Sequence, residues 1–251
     1  MTTPPADSML FHLPTPVEQL LHLAGDYTRH NDALDLDLRA GTGPEPQAHV
    51  ASAQQLAAAT RMAVRGIHSQ RLYVSAELTE TVVRLKQLAY LSAASADHGA
   101  QVARELTALA PEAAVDCAME LAVELSRRGR ADPDAPEVRL FSFQRTALTQ
   151  IACGHVIAST SLGREFTRSR EPKVSMSTLR SLESKGLAER APNTAQPAYH
   201  GGPPQDRVRL TPAGITTLAA AITAYTTGPN TALGAAPRPI PAAAQAATRS
   251  R

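Results

Sequence analysis

The 251-residue chain has no tryptophan, two cysteines and only 4% aromatic residues. A core with so few aromatic side chains must be built largely from Ala, Leu and Val. Cys117 and Cys153 lack the close spacing of a metal or redox pair, so we expect buried free thiols. The eight histidines show no metal-ligand spacing, and there is no phosphate-binding glycine loop or nucleophile motif. These absences favour a protein that is not an enzyme and needs no metal or cofactor.

The sequence also lacks an apolar run of transmembrane length. Its first residues, MTTPPADSML, have no basic segment followed by an apolar stretch, as a secretory signal would. We therefore expect a cytoplasmic protein with no membrane partner.

Lysine is scarce, and acidic residues are missing from one end of the chain. The net charge is only +2, but residues 1–141 carry 12 Lys/Arg against 18 Asp/Glu, whereas residues 142–211 carry 10 against 5. Residues 212–251 carry 3 Lys/Arg and no Asp or Glu. This asymmetry predicts an anionic partner for the C-terminal part.

Apolar spacing predicts a helical N-terminal domain over residues 15–128, after a disordered stretch over 1–14. Its predicted helices cover residues 15–30, 47–70, 75–96, 98–109 and 112–128. The Gly- and Pro-rich segment 30–46 is predicted to be a linker, with Asp32, Asp35 and Asp37 in a solvated acidic loop. The apolar stripes of these helices fit either the core of a bundle or a dimer interface with a second chain.

A Pro- and Gly-containing linker over 129–139 separates this domain from a second one over 140–225. The pattern there predicts, in order, a helix over 140–153, a hairpin within 155–170, a helix from Ser175 to Lys185, strands over 187–190 and 206–211 joined by a long loop, and a helix over 212–225. The tail 226–251, which has three arginines and no acidic residue, is predicted to be a disordered basic segment.

The helix at Ser175–Lys185 has well-marked ends. Ser175 suits the N-cap, Gly186 suits a left-handed position after the last turn, and Leu187 would fold back on Leu182 in a Schellman motif. The opposite side carries small hydroxyl residues and Lys185, which would let the helix approach a DNA groove. A solvated helix face is the alternative.

Two short motifs flank the predicted wing. Leu182, Glu183, Gly186 and Leu187 form a Leu-Glu-x-x-Gly-Leu stop, and Leu210-Thr211-x-x-Gly214 opens the final helix. Over residues 140–225 the chain thereby resembles MarR-type winged helix-turn-helix proteins. The resemblance implies a winged helix with its recognition helix in the major groove and the 191–206 loop as wing. It departs from the family between the first helix and the recognition helix, where either strands replace the family's second helix or that helix is very short.

We therefore expect a mainly α fold, with a helical N-terminal domain followed by a C-terminal winged helix with small β-hairpins. The expected function is sequence-specific binding of double-stranded DNA by a dimeric transcriptional regulator; whether a small-molecule effector controls it stays open. The alternative is a protein-interaction adaptor, or a plasmid or phage maintenance factor, that uses the winged helix for docking. Candidate DNA contacts are Ser175, Ser177, Thr178, Arg180, Ser181, Ser184 and Lys185 on the helix, Arg164, Arg168, Arg170 and Lys173 in the hairpin segment, and Arg190, Arg207 and Arg209 on the wing strands.

For two parts of the wing, functional and ordinary interpretations remain open. Arg207 and Arg209 alternate with Val208 and Leu210 and would either contact phosphates or form an exposed strand face. Tyr199 and His200 would either enter a minor groove or belong to a plain surface loop.

Overall fold

The computed structural model describes residues 14–40, 46–70, 75–127, 140–161, 163–199 and 202–227. The N-terminal half consists of helices α1 (Pro16–Ala40), α2 (Pro46–Ser69), α3 (Ala76–Ser95), α4 (Ala100–Thr107) and α5 (Ala110–Arg127). The C-terminal half consists of α6 (Ser142–Ala152), β1 (Ile157–Ser161), β2 (Arg164–Arg168), α7 (Met176–Ser184), β3 (Ala188–Ala195), β4 (Gln205–Leu210) and α8 (Pro212–Thr227). A mainly helical chain with small C-terminal β-hairpins is thus confirmed. No helix in the described residues is long and apolar enough to cross a membrane.

The four strands form one antiparallel sheet in the order β2-β1-β4-β3. The β1–β2 pair confirms the hairpin predicted within 155–170. The loop predicted over 191–206 is shorter than expected, because β3 continues to Ala195, which pairs with Gln205 after an irregularity that begins at Ala191. The linker over 129–139, the first 13 residues and His200 lie outside the described residues, as does the tail from residue 228 onward.

The linker predicted over 30–46 is wrong for residues 30–40, which continue α1. The solvated acidic loop is also wrong for Asp32 and Asp35, because both side chains are buried. Asp32 pairs with Arg207 of β4, and Asp35 pairs with Arg104 of α4 at 2.9 Å. Buried carboxylates need charge partners, and here these are arginines far away in the sequence. The local sequence around the aspartates therefore could not predict their burial.

One cluster of buried apolar side chains extends through both halves of the chain, from α1, α2, α3 and α5 to α6, the sheet, α7 and α8. It consists mainly of Ala, Leu and Val, as the low aromatic content predicts. Tyr27 is its largest fully buried side chain, and its hydroxyl bonds to Thr60 Oγ1 at 2.8 Å and Ser92 Oγ at 2.6 Å, joining α1 to α2 and α3. The division into separate domains over 15–128 and 140–225 stays a prediction.

The two motifs around β3 and β4 contact each other directly. Leu187 N donates to Leu182 O at 3.0 Å and Gly186, with φ 67°, donates to Glu183 O at 2.9 Å, which is the predicted Schellman motif. Thr211 of the second motif contacts this turn, because its hydroxyl donates a hydrogen bond to Gly186 O at 2.5 Å. Gly214 follows in the first turn of α8, where an added Cβ would lie 2.0 Å from the carbonyl oxygen of Leu187. The start of α8 is therefore pressed against the end of α7.

We expect Gly214→Ala to destabilise the protein by roughly 3 kcal/mol, because the new methyl group would overlap a backbone oxygen that cannot move without breaking the turn. Urea unfolding followed by far-UV circular dichroism measures the change. The matched control is Gly25→Ala in α1, whose nearest contact is at 3.9 Å. That control should stabilise by about 0.5–1 kcal/mol through helix propensity. Equal effects of the two substitutions would contradict the close contact at Gly214.

Candidate nucleic-acid interface

Helix α7 is short and fixed at both ends. Ser175 is the N-cap, and its Oγ accepts a hydrogen bond from Thr178 N at 3.1 Å. The Schellman turn at Gly186 ends the helix, and Leu179 and Leu182 anchor its inner face in the core. The helix therefore presents its outer side in one defined orientation.

That outer side is polar and only partly free. Ser177, Arg180, Ser184 and Lys185 are exposed. Thr178 and Ser181 are half-buried; Ser181 Oγ accepts a 3.4 Å hydrogen bond from the Gln144 amide of α6. Of the predicted helix contacts, the structure thus brings most to one solvent-facing side.

An ion-pair network runs from α7 to the neighbouring strands. Arg180 donates to Glu165 of β2 at 2.8 Å, and Arg190 of β3 contacts both Glu165 at 2.7 Å and Glu183 at 2.6 Å. Hydrogen bonds from Arg190 and Arg180 lower the pKa of the Glu165 carboxyl to about 2. Two arginines and two carboxylates therefore balance, and this part of the face is polar without being strongly basic.

The two predicted basic residues within β2, Arg164 and Arg168, lie on one face of the strand. Glu165 and Thr167 face α7, because Glu165 pairs with Arg180 and the Thr167 hydroxyl donates to Val174 O at 2.6 Å. Successive strand residues point to opposite faces. Arg164 and Arg168 therefore lie on the face away from α7, where both are exposed.

The remaining hairpin cations differ in their pairing. Arg170 contacts Glu112 of α5 at 2.6 Å. Lys173 is exposed just before the N-cap of α7, and within the described residues it has no hydrogen bond or ion pair. Lys185, at the other end of α7, is also exposed and has no side-chain partner in that part of the chain. Lys173 and Lys185 are thus the free cations at the two ends of the helix.

Arg207 and Arg209 point into the protein. Arg207 reaches Asp32 with Nη2 at 2.5 Å and the carbonyl oxygen of Gly154 with Nη1 at 2.6 Å. Its side chain is 11% exposed, and that of Arg209, whose Nη2 lies 3.5 Å from Asp32, is 21% exposed. Neither side chain forms the exposed strand face that was one of the two predictions. Both guanidinium groups join β4 to α1 and are not available at the outer side of α7.

Burial changes the ionisation of both cysteines and of His30. Cys117 is buried and Cys153 half-buried, both as free thiols, and burial raises the pKa of each to about 12. The fold stacks the rings of His30 and His49 at 5.6 Å, a pairing that their spacing in the sequence did not reveal. Burial lowers the pKa of His30 to about 4. Among the described residues, no three His, Cys, Asp or Glu side chains are grouped to hold a metal.

Comparison of the chain with protein-family models, curated proteins and solved structures found no match. The resemblance to MarR-type proteins therefore stays a prediction, carried by the two motifs and the contact between them.

Asp32→Asn should destabilise the protein by roughly 3–5 kcal/mol, because it leaves the charges of Arg207 and Arg209 buried without their carboxylate. The midpoint of urea unfolding measures this loss. Asp37→Asn, on the same helix but half-exposed and without a partner in the described residues, should stay within about 0.5 kcal/mol of wild type. A similarly small loss of unfolding free energy for Asp32→Asn would show that the ion pairs of Asp32 contribute little to stability.

Proposed function

We propose that the chain is a cytoplasmic DNA-binding protein, a transcriptional regulator that inserts α7 into the major groove of double-stranded DNA. One observation carries the proposal: α7 is fixed at both ends, exposes small hydroxyl side chains, and has at each end a lysine with no partner among the described residues. The β3–β4 hairpin would serve as the wing, as in the MarR-type proteins that the sequence resembles.

The chemistry of the outer side of α7 suits contact with a groove. Ser177 and Ser184 are small enough to let the helix backbone come close, and their hydroxyl oxygens can accept hydrogen bonds from base edges. The Ser184 hydroxyl donates to Ser181 O at 3.0 Å and Ser177 Oγ lies 2.9 Å from Ser175 Oγ, so Ser184 must change partner to donate to a phosphate. Lys173 and Lys185 would bind phosphates on either side of the groove. Because Glu165 and Glu183 already neutralise Arg180 and Arg190, we expect few phosphate contacts and a moderate dependence on salt.

Fluorescence anisotropy with a random-sequence duplex across a salt series tests this proposal. We expect binding at low salt, and we expect Lys173→Ala combined with Lys185→Ala to weaken it. The slope of log K against log salt is negative, and its magnitude should decrease by roughly 2, about 0.9 for each lost phosphate contact. Arg168→Ala is the matched control, because it removes an exposed cation from the face of β2 away from α7.

Absence of binding by the wild-type protein at low salt would overturn the proposal. An unchanged salt slope in the double-lysine variant would overturn the role of α7. An equal loss of DNA affinity in the Arg168→Ala control would indicate attraction to the general positive charge of the protein instead of contact by α7.

A protein-interaction role is the second candidate, and one feature favours it. Phe141 and Phe143, at the start of α6, stack at 5.5 Å while 66% and 54% exposed. Gln144 of the same helical turn bonds to Ser181, so the ring pair lies beside α7. If the DNA test fails, Phe141→Ser combined with Phe143→Ser is the variant to compare in partner binding.

We further propose that two copies associate through the outer side of α3. Val83 and Tyr90, seven residues apart on one side of this helix, are 45% and 73% exposed. Together with Lys86, Gln87 and Leu91 they line a shallow, almost entirely apolar depression. A two-fold dimer would present two α7 helices to half-sites about one helical turn, or a multiple of it, apart.

Light scattering coupled to size-exclusion chromatography tests the dimer. We expect Val83→Arg combined with Tyr90→Arg to produce monomers, because burying the new charges in an apolar interface is unfavourable. Leu109→Arg is the control, since Leu109 is 64% exposed in the turn between α4 and α5. A wild-type monomer, or a dimer that survives the α3 substitutions, would contradict this interface.

A further inference from the structure

A polar cavity of about 240 Å³ lies between the helical half and the sheet. Its wall comes from α1, from the start of α5 and from the β1–β2 hairpin. The charged side chains that line it are Asp32, Asp35, Arg104, Glu112, Arg168, Arg170 and Arg207, with His155 beside them. The cavity is separate from the outer side of α7, because Arg168 lies on the opposite face of β2.

The charges around this cavity do not balance. Four arginines line it against three carboxylates, and each carboxylate already has a cationic partner. Asp35 pairs with Arg104, and Glu112 accepts from Arg170 at 2.6 Å and contacts His155 at 2.7 Å. Asp32 serves Arg207 and also Arg209, which approaches from behind the cavity wall. The surroundings therefore hold more positive charge than the carboxylates neutralise.

Arg168 is the cation of this cavity whose side chain has no partner among the described residues. The Arg168 guanidinium group makes no hydrogen bond or ion pair within the described residues, although the side chain contributes to the wall. Ile157, its cross-strand neighbour on the same face, holds that part of the wall in place. Arg170 lies two residues further on, so two guanidinium groups border the same opening. Guanidinium groups are well suited to bind phosphate, because each offers several N–H donors in a fixed plane.

We propose that this cavity binds a small phosphorylated molecule, with its phosphate held by Arg168 and Arg170. The cavity exceeds the volume of one water molecule in the liquid, ~30 Å³, several-fold, which leaves room for a phosphate and a short organic part. Pro111 and Glu112 place the first turn of α5 at the same cavity, and the positive end of a helix adds to the attraction for an anion. The proposal is independent of DNA binding by α7.

Binding of pyrophosphate to the full-length protein tests the proposal, by isothermal titration calorimetry and by thermal unfolding in chloride of matched ionic strength. We expect saturable binding and a rise in Tm with ligand concentration. Arg168→Gln should weaken binding roughly tenfold or more, through loss of a charge-assisted contact. Arg164→Gln is the matched control, because Arg164 is exposed on the same face of the same strand but lies outside the cavity wall.

Both variants remove cations that have no partner among the described residues, so unliganded melting curves should match wild type and show that the fold is intact. Absence of saturable binding, or equal binding by Arg168→Gln and wild type, would overturn the proposal. A competing duplex DNA distinguishes the source of the phosphate. If DNA displaces pyrophosphate and Arg168→Gln weakens both equally, the site takes nucleic-acid phosphates and the small-molecule assignment is wrong. Because the α7 test uses Lys173 and Lys185, either proposal can fail without the other.

Discussion

The pairing of Asp32 with Arg207 and Arg209 holds the helical half against the sheet. Asp32 is only 3% exposed, and removing a carboxylate and two guanidinium groups from water is unfavourable unless they satisfy one another. The ion pairs offset the free energy of removing these charges from water only when α1 and β4 are correctly placed, because Arg207 must also reach the carbonyl oxygen of Gly154. Gly154 itself lies so close to Thr28 that an added Cβ would approach its Oγ1 to 2.6 Å. Charge pairing and close backbone packing thus fix the same junction.

A second junction places α7. The turn after this helix accepts hydrogen bonds from Thr211 at Gly186 O and, through the Thr211 backbone, at Leu187 O. Gly214 then allows α8 to lie against that turn, while Ser126 of α5 donates to Thr223 O of α8 at 3.3 Å. The chain of contacts from α7 through α8 to α5 shows why glycine and threonine stand at these positions of the motif. Their role is tertiary, although the pattern is visible in the sequence.

Local physics was enough to predict most elements from the sequence. Apolar spacing placed α2 and α3, and capping chemistry placed both ends of α7, because helix ends depend on residues only a few positions apart. Local patterns failed to predict the structure of residues 30–40, where three aspartates suggest a solvated loop. The partner of Asp32 is 175 positions away in the chain, beyond the reach of any local pattern. The same limit applies to the arginines of the candidate site. Strand alternation separates Arg168 from Glu165, but only the folded chain shows that Arg180 and Arg190 have carboxylate partners and that Lys173 has none in the described residues.

This difference in pairing changes how the positive charge of residues 142–211 should be understood. Ten Lys and Arg against five acidic residues suggest one broad basic surface. In the fold, Arg207 and Arg209 form ion pairs with the buried carboxylate of Asp32. Arg180 pairs with Glu165, and Arg190 pairs with Glu165 and Glu183. The unpaired cations are then divided between the ends of α7 and the opposite face of β2. Under the two proposals, a segment with a strong net charge would supply two small, separate sites for anions, and each would include a cation that has no partner among the described residues.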